Sequence, residues 1–162
     1  MSVIYRPGMR LADLPIPEDA EVTARWPSQM VEMADYIGAY ATLRIIEAHG
    51  GQQVYISSDP DRSPFRDVLG PRLAKKMAEI YGGTQTDLPV GRHALTEARR
   101  APVLASVRNG DMTTREAAKI LGTSRIYLSQ IVNSTPEAAD AAPLRRTGIR
   151  DPRQIELFGP SD

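Results

Sequence analysis

An internal repeat is the feature that most constrains how this chain can fold. The stretch IGAYATLRIIEAHGGQQVYI at 37–56 aligns without gaps on LGPRLAKKMAEIYGGTQTDL at 69–88. In each copy a helical pattern runs into two adjacent glycines and then into strand-forming residues. Two copies are too few for a solenoid, which needs at least three repeats. We therefore expect two helix–Gly-Gly–strand units whose strands pair, within one chain or across a dimer.

The glycine pairs are Gly50 with Gly51 and Gly82 with Gly83. In a phosphate-binding loop the glycines follow a strand and precede a helix, so that helix N-terminal amides face the anion. Here the helix comes first, and its C-terminal end carries a partial negative charge that repels phosphate. The pattern therefore favours helix C-caps, in which the first glycine of each pair adopts a positive φ.

The stretches around the repeat predict four segments. Residues 1–26 contain three prolines and little periodicity, which indicates an extended arm anchored by Trp26. Residues 27–91 are expected to form a helical and strand-containing domain that includes the repeat, and residues 92–133 a second, helical domain. Residues 134–162 are rich in proline, alanine, arginine and aspartate, which predicts a disordered tail. The expected fold class is mainly α with short β-strands.

Composition excludes several classes of function. The chain has 162 residues and no cysteine, which excludes disulfides, thiolate metal sites and cysteine nucleophiles. No motif pairs a nucleophile with a base or spaces metal ligands, so we expect no enzyme, no metal and no cofactor. No apolar run reaches the roughly 18 residues of a membrane span, and no apolar signal core opens the chain, so we expect a cytoplasmic protein without membrane contact.

The stretch TTREAAKILGTSRIYLSQIVN at 113–133 fits a helix-turn-helix, the two-helix unit that reads DNA. Thr113 or Thr114 can cap the first helix, and Gly122 suits the tight turn. Leu128 points inward at helical spacing. The outward polar residues have the types that recognise base edges, and they are Arg125, Ser129, Gln130 and Asn133, with Ile126 nearby as a further candidate contact. An ordinary αα-hairpin is the alternative interpretation.

Local charge favours DNA. Residues 92–133 contain seven arginines and lysines against three carboxylates, a net charge of +4 in a chain whose total is zero. A basic segment joined to an acidic remainder is typical of a protein in which only the basic segment binds the phosphates of DNA. Pro102 should kink or split the preceding helix near Arg100. The candidate phosphate contacts, each of which could also be a solvated surface residue, are Thr114, Arg115, Arg99, Arg100 and Arg108.

The order of these elements resembles the Mor transcription activator family, the middle-promoter regulators of Mu-like phages. The resemblance covers residues 27–133, from the helices and double glycines through YGGTQTDLPVG to the helix-turn-helix. It implies a homodimer that activates phage or prophage promoters with host RNA polymerase, bound to the nucleoid of a bacterial host. N-terminal helices would pack between subunits, and the strands would pair near the dimer axis.

The resemblance also implies that a glycine turn and its strand approach the DNA backbone. By position these are Gly82, Gly83 and Gln85 of the second copy. The family commonly has an aromatic residue where this copy has Asp87, whose charge would repel phosphate. The first copy keeps the aromatic residue, and its equivalent residues are Gly50, Gly51, Gln53 and Tyr55. Which strand faces DNA is left open.

A short motif in the tail indicates an alternative function. The stretch QIELF at 154–158 resembles the bacterial sliding-clamp-binding peptide. Leu157 and Phe158 would enter an apolar pocket while Gln154 bonds to its rim. The same apolar residues could instead pack on the protein's own core. With clamp binding, the chain would be a DNA-replication or mobile-element accessory protein.

Overall fold

Apolar residues at helical spacing, interrupted by glycines, divide the chain into short helices. The computed structural model describes residues 4–134 and 145–146, and in these it forms seven α-helices and four strands. The helices are α1 (Ser28–Ile37), α2 (Ala39–His49), α3 (Arg66–Leu69), α4 (Pro71–Tyr81), α5 (Arg92–Arg108), α6 (Thr114–Leu121) and α7 (Arg125–Ser134). The strands are β1 (Ile4–Tyr5), β2 (Gln53–Ile56), β3 (Thr84–Asp87) and β4 (Arg145–Arg146). The predicted fold class, mainly α with short strands, is confirmed at this level.

Both copies of the repeat fold into the same elements. Helices α2 and α4 are offset by 32 positions, from 39 to 71 at their first residues and from 49 to 81 at their last. A glycine with positive φ precedes each helix, Gly38 at 89° and Gly70 at 81°. Strands β2 and β3 follow these helices and pair with each other, antiparallel, within the one chain.

The register of the two strands is symmetric. Val54 lies opposite Thr86 in the ladder, and these two residues occupy equivalent positions in the two copies, again 32 apart (54 and 86). A pseudo-two-fold axis therefore passes through this residue pair. One chain thus supplies both halves of a symmetric two-stranded ribbon.

The same symmetry governs the hydrogen bonds at the ends of the ribbon. The amide of Gly51 donates to the carbonyl of Leu88 at 3.0 Å, and the amide of Gly83 donates to the carbonyl of Ile56 at 2.7 Å. Each glycine pair therefore extends the ladder beyond its own strand and ties its turn to the far end of the other copy.

The expected backbone of the glycine turns was wrong in one respect. The first glycines are in an ordinary conformation, with φ −55° at Gly50 and −58° at Gly82, both with ψ 137°. The second glycines hold the positive φ, 77° at Gly51 and 80° at Gly83. This sequence of angles is typical of a type II turn. The first glycine is required for space, since a Cβ on Gly50 would lie 2.5 Å from the carbonyl oxygen of Ile46.

Helix α5 connects two hydrophobic cores. Its first half packs Ala94 into a core built by the repeat, and its second half packs Val103 and Leu104 into the core of the helix-turn-helix. The boundary between the cores therefore falls inside α5, whereas the sequence placed a domain boundary before Arg92. Of the kink or split predicted at Pro102, the split does not occur, because α5 runs continuously from Arg92 to Arg108.

The N-terminal segment docks on both cores and is more than an extended arm. Leu14 is buried in the helix-turn-helix core, while Ile16 and Trp26 are buried in the repeat core. At the start of the segment β1 pairs in parallel with β4. The predicted tail at 134–162 therefore contains a strand at Arg145–Arg146, and its other residues beyond Ser134 lie outside the described residues.

Candidate nucleic-acid interface

The first helix of the helix-turn-helix begins and ends with well-formed caps. The Thr113 hydroxyl accepts from the amide of Glu116 at 3.2 Å, and the Glu116 carboxylate accepts from the amide of Thr113 at 3.1 Å. This capping box identifies Thr113 as the cap and leaves Thr114 in the first turn. At the other end Gly122 is left-handed, with φ 64° and ψ 35°, and the amide of Thr123 reaches back to the carbonyl of Ala118. The turn predicted at Gly122 is confirmed.

Helix α7 is the second helix of the unit. The hydroxyl of Ser124 accepts from the amide of Tyr127 at 3.1 Å, which caps the N-terminus of the helix. Leu128 is fully buried and anchors α7 to the core shared with α5 and α6. The four side chains predicted to point outward and the neighbouring Ile126 are all exposed, so that the exposed set comprises Arg125, Ile126, Ser129, Gln130 and Asn133.

Four of those five residues form one surface. Ile126, Ser129, Gln130 and Asn133 line a shallow, open concavity. Their spacing of three, four and seven positions puts them on one stripe of α7. Ile126 is 75% exposed, which is high for a large apolar side chain on a folded domain. The stripe is therefore accessible to a partner.

The hydroxyl of Ser129 is already committed as a donor. It donates to the carbonyl of Arg125, one turn earlier, at 3.0 Å. Toward a partner, Ser129 therefore offers its lone pairs and acts as an acceptor.

Cations lie on the helix that precedes the turn. Arg115 and Lys119 of α6 are both exposed and four residues apart, so they share one face of the helix. Sequence reasoning included Lys119 only in the total charge and did not select it as a contact. The spacing of four from Arg115 is the signal that would have identified it. A cationic face on the first helix is where the backbone of a duplex passes in this motif.

Two of the predicted phosphate contacts instead hold the protein together. Arg99 donates from Nε to the carbonyl of Leu14 and from a terminal nitrogen to the carboxylate of Glu47, both at 3.0 Å. Arg108 donates to the carbonyl of Val132 at 3.2 Å, near the end of α7. Both guanidinium groups face protein acceptors, so Arg99 and Arg108 are removed from the candidate DNA contacts.

The remaining predicted arginine, Arg100, is half-buried on α5. No ion pair joins it to another residue in the part of the chain that the structure describes. Arg100 therefore stays a candidate phosphate contact.

Both strands of the ribbon of β2 and β3 present side chains to solvent. Gln53 lies opposite Asp87, and Tyr55 lies opposite Gln85. Cross-strand partners share a face, and all four side chains are exposed, Tyr55 by 59%. The two glutamines are equivalent in the repeat, and Gln85 donates to Gln53 at 2.9 Å. The two sets that the sequence left as alternatives therefore form a single surface with one carboxylate, Asp87.

Other kinds of site find no support within 4–134 and 145–146. No group of three or more histidine or acidic side chains there is placed to hold a metal ion. None of the helices formed by these residues has the length and apolar character to cross a membrane. The clamp-binding candidates Gln154, Leu157 and Phe158 lie outside the described residues. No protein-family model, curated protein or solved structure matches the chain.

Proposed function

We propose that this chain is a sequence-specific regulator that binds double-stranded DNA through α6 and α7. One observation carries the proposal: α7 presents a stripe of base-reading side chains, all exposed, next to a helix whose exposed face is cationic. In a helix-turn-helix the second helix enters the major groove and the first helix lies across the backbone. The buried Leu128 and the caps at Thr113 and Ser124 would hold the two helices rigid for that purpose.

Selection of bound sequences from random duplex DNA tests the proposal. We expect an enriched motif and, at fixed salt, a loss of about 1–3 kcal/mol in site-specific binding for Gln130→Ala or Arg125→Ala. Gln52→Ala, an exposed glutamine outside the helix-turn-helix, is the matched control and should bind as the wild type does. Unchanged affinity in both α7 variants would remove the recognition-helix assignment.

The cationic face of α6 is tested by salt dependence. Arg115→Ala and Lys119→Ala should each weaken binding to all duplexes alike and lower the slope of log affinity against log salt by about one. Arg99→Ala is an informative contrast, since its guanidinium is bound within the protein. It should reduce stability and leave the salt slope unchanged.

The resemblance to the Mor family extends this proposal to a homodimer that activates promoters with host RNA polymerase. Because β2 and β3 already pair within one chain, such a dimer would use a surface other than the one between these two strands. Light scattering at micromolar concentration tests the dimer, and a monomer mass removes it from the proposal. Promoter-dependent stimulation of purified RNA polymerase tests activation.

The sliding clamp remains a second proposed partner, and this proposal is supported by the sequence motif QIELF alone. A pull-down with purified bacterial clamp should retain the chain and lose it on Phe158→Ala. Retention without promoter stimulation would favour the replication-accessory function over transcription activation.

A further inference from the structure

The concave stripe on α7 carries no charged group, and this restricts which base pairs it can recognise. Its members are one apolar, one hydroxyl and two amide side chains, Ile126, Ser129, Gln130 and Asn133. Arginine is the commonest specific partner of guanine, through the O6 and N7 atoms. The one arginine of the helix, Arg125, precedes the stripe and is not among the residues that line the concavity.

Each member of the stripe has a chemical counterpart on an A·T pair. The amide of Gln130 or Asn133 can bond to adenine in two places, at N6 and at N7. An apolar side chain is the natural contact for the C5-methyl group of thymine. Ser129, which is limited to accepting by its bond to the carbonyl of Arg125, can accept from adenine N6.

The position of Ile126 fits this role. It lies in the first turn of α7, and in a helix-turn-helix the N-terminal residues of the second helix are those that reach base edges. At 75% exposure its side chain contributes little to the core. Gln130 is one turn later on the same stripe, so the two side chains can contact the same or adjacent base pairs.

We propose that the centre of the target site consists of A·T pairs, with Ile126 selecting thymine through its methyl group and Gln130 selecting adenine. This inference rests on the proposed function, since it names the sequence class that the same surface recognises. It makes Ile126 a specificity-determining residue.

The test uses variants of the enriched duplex in which one functional group of one base is removed at a time. Each thymine is replaced in turn by deoxyuridine, which lacks only the methyl group, and each adenine by 7-deazaadenine, which lacks N7. We expect one thymine at which the deoxyuridine duplex binds the wild-type protein about fourfold more weakly. We expect one adenine at which the 7-deaza duplex binds about tenfold more weakly.

Variants assign these losses to side chains. Ile126→Ala should bind the thymine and deoxyuridine duplexes equally, Ile126→Val should restore part of the difference, and Gln130→Ala should be insensitive to 7-deazaadenine. Thermal melts of the free proteins should be unchanged for both alanine variants, because both side chains are exposed. A G·C-centred motif, or a wild type indifferent to every thymine methyl, overturns the inference and leaves DNA binding intact. If no sequence is enriched, the proposed function itself fails and the inference fails with it.

Discussion

The two copies of the repeat share a backbone and differ in their surfaces. Both have a helix, a glycine turn and a strand at positions 32 apart, as in α2 and α4 (39 to 71). On the outer face of the ribbon the equivalent positions 55 and 87 hold Tyr55 in one copy and Asp87 in the other. The glycines have been kept where the backbone requires them, while the exposed side chains differ. The backbone conformation of the repeat therefore depends on its glycines, whereas the chemistry of the exposed side chains can differ between the copies.

The ends of the two repeat helices show the same contrast at half-buried positions. His49 and Tyr81 are the equivalent last residues of α2 and α4. His49 lies edge-on to Phe65, with ring centroids 5.6 Å apart, and Tyr81 lies edge-on to Tyr36 at 6.2 Å. Each ring contacts an aromatic residue that lies outside its own copy. The equivalent positions thus share an edge-on ring packing but hold a histidine in one copy and a tyrosine in the other. Variants can therefore probe the two copies separately.

The largest effect on stability is expected at the second glycine turn, where Gly82 is required for space and Gly83 for its positive φ. A Cβ on Gly82 would meet the carbonyl oxygen of Ala78 and lie 2.8 Å from the Cα of Ser58, both of them backbone atoms. Gly82→Ala should therefore lower the free energy of unfolding by about 2–3 kcal/mol, measured by urea denaturation.

Gly83→Ala is the matched control for that variant. No atom lies within 4 Å of a Cβ built at Gly83, so its cost is that of the positive φ alone, about 1 kcal/mol. If Gly83→Ala proved the more damaging of the two, the division between a spatial and a conformational glycine would be wrong.

The pairing of the copies within one chain can be tested by cross-linking. Gln53 and Asp87 are directly opposite, and the bond from the amide of Leu88 to the carbonyl of Gln52 puts them at a site where side chains approach closely. The chain has no cysteine of its own. The double variant Gln53→Cys/Asp87→Cys should oxidise to a disulfide at monomer mass and gain about 2 kcal/mol in stability.

Non-reducing electrophoresis over a range of protein concentrations provides the measurement. The single variants Gln53→Cys and Asp87→Cys are controls that can link only between chains. Covalent dimers from the double variant at every concentration would show that β2 and β3 pair across two subunits.

The tyrosine at the end of α4 makes the stability of the protein depend on pH in the alkaline range. Burial, followed by the nearby charge of Glu32, raises the pKa of Tyr81 to about 12. The folded state therefore holds this proton more tightly than the unfolded state does. Its contribution to stability is complete below pH 10 and is lost as pH rises from 10 toward 12.

Thermal melts of wild type and Tyr81→Phe across that range measure this contribution. The melting temperature of the wild type should fall more steeply above pH 10 than that of Tyr81→Phe. Parallel curves would place the phenol in a solvent-like environment.

The smallest effect is expected at the glutamine pair, whose side chains bond to each other from equivalent positions of the ribbon. Gln53→Ala removes the acceptor of the 2.9 Å bond from Gln85. Because both side chains are exposed, the loss should be about 0.5 kcal/mol by urea denaturation. Gln52→Ala removes a neighbouring exposed glutamine and should have no measurable effect. Equal values for the two variants would mean that the bond contributes nothing to pairing.

Local patterns predicted much of the helix-turn-helix. Helical spacing put Leu128 inside and Ser129 and Gln130 outside, because residues three and four apart share a helix face in any environment. Glycine and threonine located the turn and the cap, since their effects act on adjacent residues. The short helix α3 was not predicted, because a single turn has too few residues to show a period.

The roles of the arginines could not be read from local patterns. Arg99 bonds to Leu14, which is 85 positions away, and to Glu47, which is 52 positions away. An arginine that joins remote segments has the same neighbours in sequence as one that faces solvent. Counting it as a phosphate contact therefore overestimated the free positive charge of residues 92–133.

By itself the sequence determined the repeat, the helix–glycine–strand order within each copy and the outward face of α7, all of which depend on interactions over a few residues. Only the tertiary structure decided that β2 pairs with β3 in one chain, with Val54 opposite Thr86. It also decided that the glutamines of both copies share one face and that Arg99 and Arg108 donate to acceptors within the protein. These features depend on which distant segments meet in the folded chain, and local sequence patterns do not contain that information.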